Sequence, residues 1–170
     1  MSDNSSSYRI VRVCVENYAM FSDLLYWRQN GMQRPQQNEE IPEERKRELQ
    51  NQNLYVYAVE TAHIFTGWIS LIYLPKISKF RRGHVYVDEL WVAPPYRRKG
   101  YAKALMTQAD QLARTLQASG IRLYVNTENP CAKKLYERCG FHNQGTACFM
   151  EKTLSFLTVK NDDTFHNASQ

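Results

Sequence analysis

Between Asp88 and Lys103 the chain reads DELWVAPPYRRKGYAK, and no other stretch restricts the fold as strongly. His84 to Val92 is rich in Val, Tyr, Leu and Trp, which predicts a strand. Ala93-Pro94-Pro95 must end it, because consecutive prolines have no N–H to give to a sheet ladder. Three cations, Arg97, Arg98 and Lys99, then precede Gly100, where the missing Cβ allows a tight turn or close approach to a ligand. Directly afterwards Ala102, Leu105, Met106, Ala109, Leu112, Ala113 and Leu116 recur at helical spacing, predicting a helix over 101–119 with Gly120 at its end. The unpaired N–H groups of that first helical turn, beside three cations, suit a phosphate or pyrophosphate. A basic, solvated turn is the plainer reading of such a loop taken alone. The Pro-Pro bend, the long amphipathic helix and a second motif downstream weigh against it.

The rest of the chain builds a sheet around this centre. Tyr8 to Val15 alternates as a strand, and Tyr18 to Asn30 reads as a helix with Met20, Leu24, Leu25 and Trp27 on its apolar face. Gly31 to Asn38 is a loop. Glu39 to Asn51 is a charged surface helix starting near Pro42, polar enough to lie over the domain as a substrate-facing lid. Leu54 to Glu60 and Ile64 to Leu74 form a hairpin, Pro75 to Gly83 a basic turn, so three antiparallel strands precede the central loop. After the helix, Ile121 to Asn126 predicts a parallel strand reached by a right-handed crossover. Asn129 and Pro130 start a second helix as N-cap and N1, with Ala132, Leu135, Tyr136 and Cys139 inward and Gly140 as the stop. Phe141 to Glu151 predicts one or two last strands. This gives one domain over 8–154, with polar ends at 1–7 and 155–170.

Composition narrows the function classes. There is no run of about 18 apolar residues and no secretory leader pattern, so no membrane partner and a cytoplasmic setting are expected. The four cysteines form no CxxC pair and have no matching histidines, which predicts no metal. The net charge is +5, but the basic residues are dispersed among acids without aromatic interleaving, so no nucleic-acid partner is expected. A small polyanionic ligand accounts for the charge.

Two segments, RRKGYA after the strand and NPCAKKLYERCGF on the second helix, together resemble the signature of the GCN5-related N-acetyltransferase (GNAT) superfamily over about Leu54 to Glu151. The resemblance implies a mixed α/β fold whose mostly antiparallel sheet splays at a bulge, with helices on both faces and a cleft for the pantetheine arm of acetyl-CoA. By motif position the pyrophosphate falls to the loop of Arg97, Arg98, Lys99, Gly100, Tyr101, Ala102 and Lys103. The strand edge of Leu90, Trp91 and Val92 falls to pantetheine and the acetyl carbonyl, with Asn129 and Asn126 for the pantetheine amides. Ala102 departs from the commoner glycine, which such proteins tolerate.

From spacing alone Tyr136 reads as a core aromatic; the resemblance places it at the position of the acid that protonates the leaving thiolate. VYVDELWVAPPYRRKGYA is similar to polyamine acetyltransferases, where two adjacent acids stand at the positions of Asp88 and Glu89. Strand neighbours point to opposite faces unless a bulge reorients them, so both remain base candidates. A salt bridge to Arg81 or Arg82 is the structural alternative, and His63 and His84 read as structural or solvent-facing. The implied activity is direct acetyl transfer to a small primary amine: a polyamine, aminoglycoside or amino-sugar. Transfer to a protein N-terminus or lysine, and a non-catalytic acyl-CoA sensor, are the alternatives. Such proteins often dimerise, which allows a homodimer by analogy alone and leaves the oligomeric state open.

Overall fold

A computed structural model describes residues 7–34, 40–77, 82–148 and 150–153. The expected polar tail, most of the N-terminal segment, and parts of the 31–38 loop and the basic turn lie outside these residues. The elements are β1 (Tyr8–Arg12), α1 (Tyr18–Asn30), α2 (Glu43–Leu49), β2 (Leu54–Thr61), β3 (Ile64–Leu74), β4 (His84–Val92), α3 (Tyr101–Thr115), β5 (Ile121–Leu123) and α4 (Pro130–Arg138). The strands form one sheet in sequence order, antiparallel except for the parallel β4–β5 pair that α3 connects.

Strand alternation feeds two cores. Val59, Ile69, Leu71, Val85, Val87 and Val92 meet Leu105, Met106, Ala109 and Leu112 of α3. On the other face Val56, Ala58, Phe65 and Trp68 meet Phe21, Leu24 and Trp27 of α1. Phe21 was absent from the sequence-predicted face of α1, which named Met20 and Leu25; both are only partly buried.

One irregularity in the sheet positions the candidate acids. Ser70 stands opposite Glu89 and Leu71 opposite Val87, so Asp88 is an extra residue in β4. Pairing of β4 with β5 stops at the same place: Val85, Tyr86 and Val87 pair with Ile121, Arg122 and Leu123. Among the described residues, β4 therefore runs on from Asp88 to Val92 with no strand on its β5 side. This is the expected splay.

Several boundaries differ from the sequence reading. β1 ends at Arg12 rather than Val15, because Val15–Asn17 turns as a 3-10 segment into α1. α3 ends at Thr115, and Gln117, not Gly120, takes the left-handed closing position (φ 51°). Its N–H and that of Ala118 donate to Arg114 and Ala113 carbonyls at 3.0 and 2.8 Å, closing the helix four residues early. β5 ends at Leu123, leaving Asn126 in the following turn. The last strands expected in 141–151 are not formed among the described residues: His142 to Gly145 are polar and exposed, so a strand there would bury nothing.

Candidate active site

The loop after β4 is built by its neighbours. Ala93 N–H donates to the Thr66 carbonyl at 2.9 Å, Pro94–Tyr96 makes a 3-10 turn, and Arg97 Nε reaches back to the Val92 carbonyl at 2.9 Å. Arg98 then adopts a left-handed conformation (φ 62°) and Gly100 another (φ 85°) as the N-cap of α3. A left-handed non-glycine residue costs about 1–2 kcal/mol, and such strain collects at functional loops. The sequence gives no warning of it at Arg98.

The helix start is open to a ligand. The first intrahelical bond recorded from this cap is Ala104 N–H to the Gly100 carbonyl at 3.0 Å, and no side chain caps the end. The N–H groups of Tyr101, Ala102 and Lys103 thus precede the helical ladder, and Arg98, Lys99 and Gly100 are exposed around them. Below, an aromatic stack anchors the turn. The buried Tyr101 ring lies 6.4 Å from Tyr96 at 24° and 5.0 Å from Tyr8, and Lys99 Nζ sits 4.9 Å over Tyr96. Tyr101 therefore joins the core through its side chain while its backbone faces the loop.

The bulge sorts the acids. Val85 and Val87 face α3, and an unbroken strand would send Glu89 after them. The extra residue reverses the alternation: Leu90 and Val92 pack with the α3-side core, while Glu89 and Trp91 turn towards α1. The Glu89 ion-pair partner is Arg28 of α1, with Nη1 to Oε1 at 2.7 Å, rather than Arg82; Arg81 lies outside the described residues. The Arg28 guanidinium also lies 5.2 Å over the Trp68 ring.

Asp88 is exposed but partly desolvated. That desolvation, followed by repulsion from Glu89, raises its carboxyl pKa above the usual range. Tyr86, whose ring meets Tyr124 at 5.8 Å, is raised in turn by burial and then by Asp88. Asp88, Glu89 and Tyr86 thus form one electrostatically connected group.

Tyr136 sits on the other face. Its ring is half-buried against the α3-side core and lies 6.0 Å from Phe141. Burial, then Cys139, pushes its hydroxyl pKa up, so at neutral pH it holds its proton.

The two asparagines already have work. Asn129 Oδ1 caps α4 by accepting from Ala132 N–H at 3.0 Å, and Asn126 Oδ1 accepts from Glu128 N–H at 2.9 Å. Each has its amide nitrogen left to donate. The histidines stand apart: His63 is in the β2–β3 turn, and His84 opens β4 at the end away from Val92. A depression of about 540 Å³ between Ser7–Arg9 and Glu60–His63 includes none of Arg97 to Lys103, Asp88, Glu89 or Tyr136. Among the described residues no cluster of three His, Cys, Asp or Glu side chains is placed to hold a metal ion, and no helix is long and apolar enough to cross a membrane.

Known proteins match this arrangement. A model of the acetyltransferase (GNAT) family matches residues 21–141. An uncharacterised N-acetyltransferase of Bacillus subtilis (strain 168) is 39% identical over 69 residues, 41% of this chain and 43% of that protein. The spermidine N(1)-acetyltransferase of Vibrio cholerae is 36% identical over 78 residues, 45% of this chain and 44% of that protein. The chain thus spans less than half the length of these curated relatives. An aminoglycoside acetyltransferase from an uncultured soil metagenomic sample, solved with trehalose, superposes with a TM-score of 0.73 at 19% identity, covering 90% of this chain and 99% of that one. At that identity the superposition speaks for the fold alone. With a sheet that parts at Asp88, a cationic left-handed helix start beside it, and a family match over most of the domain, the chain belongs to the acetyltransferase (GNAT) family.

Proposed function

We propose that this protein transfers an acetyl group from acetyl-CoA directly to the primary amine of a small cationic acceptor. The observation that carries the reading is the parting of β4 from β5 at Asp88, continuous through Val92 with the cationic start of α3. The parting leaves the backbone groups of Leu90 and the N–H of Val92, which point away from β3, for the pantetheine amides; the Trp91 carbonyl instead faces Gly67 of β3. The α3 start offers unpaired N–H groups, with Arg98 and Lys99 beside them, to a pyrophosphate. The residues present therefore fit the family's co-substrate, which supplies the acyl thioester. Arg97 braces the loop through Val92, and the amide nitrogens of Asn126 and Asn129 are placed to donate.

Transfer asks two things of the protein. The acceptor ammonium must lose a proton, and the departing thiolate must gain one. Asp88 and Glu89, on the α1 face, attract a cation and accept its proton. Tyr136, on the α3 face and protonated at neutral pH, supplies one to the sulfur. For this, the acceptor and the thioester must meet in the gap where β4 and β5 diverge. The similarity to a spermidine acetyltransferase over 78 residues and the acidic, tyrosine-rich wall around Asp88 favour a polyamine-like acceptor.

The test is thiol release from acetyl-CoA with spermidine, an aminoglycoside, glucosamine 6-phosphate and peptides bearing free N-termini or lysines. Turnover with one of the free amines is expected. Turnover confined to peptides makes it a protein acetyltransferase, and acetyl-CoA binding without any turnover makes it a sensor.

A further inference from the structure

The structure assigns a role to Arg28 that the motifs do not reach. We propose that Arg28 is a positioning residue for the transfer: its guanidinium, seated on Trp68, compensates Glu89 and leaves Asp88 as the carboxylate that receives the acceptor ammonium. The proposal rests on the transfer reading above.

Three observations support it. First, the guanidinium is held by the core. Arg28 reaches from the last turn of α1 over Trp68, which is fully buried and flanked by Phe21 at 5.8 Å and Trp91 at 5.1 Å. A planar cation already stacked loses little freedom in pairing with a carboxylate. Second, the bulge at Asp88 is what turns Glu89 to this face, within 2.7 Å of Arg28. Third, the acids are treated unequally. Facing Asp88 are Glu89 and Tyr86 on β4, with Tyr124 beyond Tyr86. Arg122 is the register partner of Tyr86 on β5, and Arg28 contributes from α1. Among the described residues no cation forms an ion pair with Asp88, whereas Glu89 has Arg28.

The chemistry follows. An arriving ammonium meets an uncompensated carboxylate at Asp88 and an occupied one at Glu89. Asp88 accepts one proton from R–NH3+. The freed nitrogen lone pair forms the C–N bond as the C–S bond breaks, the sulfur leaves with the bonding pair and takes a proton from Tyr136, and the N-protonated amide gives its second proton to solvent. Solvent returns Asp88 and Tyr136 to their starting states.

The experiment pairs kinetics with a readout that needs no turnover. kcat/KM against pH, and the carboxyl 13C titration of Asp88 assigned with Asp88→Asn, are measured for wild type, Arg28→Ala, Glu89→Gln and the double variant. Removing Arg28 exposes Asp88 to the full charge of Glu89, so its titration and the acid limb of kcat/KM should rise by about half a pH unit. Glu89→Gln leaves Arg28 unopposed and should move both down by about as much, and the double variant should return towards wild type. Arg28→Lys should restore part of the Arg28→Ala shift. An Asp88 titration unmoved in both single variants overturns the coupling. Loss of kcat in Glu89→Gln with kcat retained in Asp88→Asn overturns the choice of base. Absence of turnover by wild type with every amine refutes the transfer reading and the acceptor half of this proposal, while the carboxyl titration still decides whether Arg28 governs Asp88.

Discussion

Replacing Gly67 with alanine tests whether the approach of β3 to β4 holds the strand edge at Trp91 and Val92. Gly67 is buried opposite Val92. A Cβ there would stand 2.8 Å from the Trp91 carbonyl oxygen, 3.0 Å from Val92 Cγ2 and 3.2 Å from Val92 Cα. Carbon–oxygen contacts ordinarily begin near about 3.3 Å, so the strands must separate by roughly half an ångström. Two of the three atoms are backbone, and no side-chain rotation relieves them. Overpacking of this kind costs about 1–3 kcal/mol. At this chain length each kcal/mol lowers Tm by about 2–4 °C, so a fall of about 4–8 °C is expected for a cost near 2 kcal/mol. The same displacement moves the edge assigned to pantetheine, so KM for acetyl-CoA should rise by about tenfold, equivalent to about 1.4 kcal/mol, with the acceptor KM less affected. Gly120→Ala is the control, because its Cβ would meet only His84 Cδ2 at 3.9 Å. Calorimetry and steady-state kinetics on both variants decide the matter. A Gly67→Ala protein melting within a degree of wild type, or a Gly120→Ala protein falling as far, refutes the reasoning.

Three further outcomes are expected. Tyr136→Phe should lower kcat by about a hundredfold with little change in KM, the pattern of a lost proton donor; an unchanged kcat returns Tyr136 to a packing role beside Phe141. Asn129→Ala should cost about 1 kcal/mol of stability through the lost cap to Ala132, and Asn129→Ser should restore it; if the serine variant still raises KM for acetyl-CoA, the amide nitrogen is the binding group. Asp88 has a folded pKa above its unfolded one, so the stability it contributes is present below the unfolded pKa and is lost as pH rises through the folded value. Asp88→Asn should therefore melt about a degree or two higher at neutral pH, with the gap closing towards pH 4; a variant less stable than wild type at neutral pH contradicts this.

The elements that carry the candidate site were legible in the chain because they depend on local rules. Pro94 and Pro95 cannot extend a ladder, Gly100 takes a left-handed cap at little cost, and Asn129-Pro130 starts a helix by its own hydrogen-bonding chemistry. The stripe of α3 was readable for the same reason: its buried residues repeat at the helical period. Gly67 gives no such signal, since a glycine inside a strand shows its reason only when a neighbouring backbone is seen against it. The end of α3 departs from the expected Gly120 because Gln117 accepts a left-handed conformation that glycine usually takes.

What sequence alone could not place is whatever depends on register. Asp88 and Glu89 are adjacent in the chain, and alternation would put them on opposite faces of the sheet. Only the offset between Ser70–Leu71 and Glu89–Val87 shows that Asp88 is the extra residue and that Glu89 turns to Arg28, distant in sequence. The local signals therefore determined the cationic glycine loop, the two motif helices and the family. The tertiary structure decided which faces the acids and Tyr136 occupy, and which acid has a partner. A side chain's face in a sheet is set by pairing with another strand, and that pairing is not a property of the strand itself.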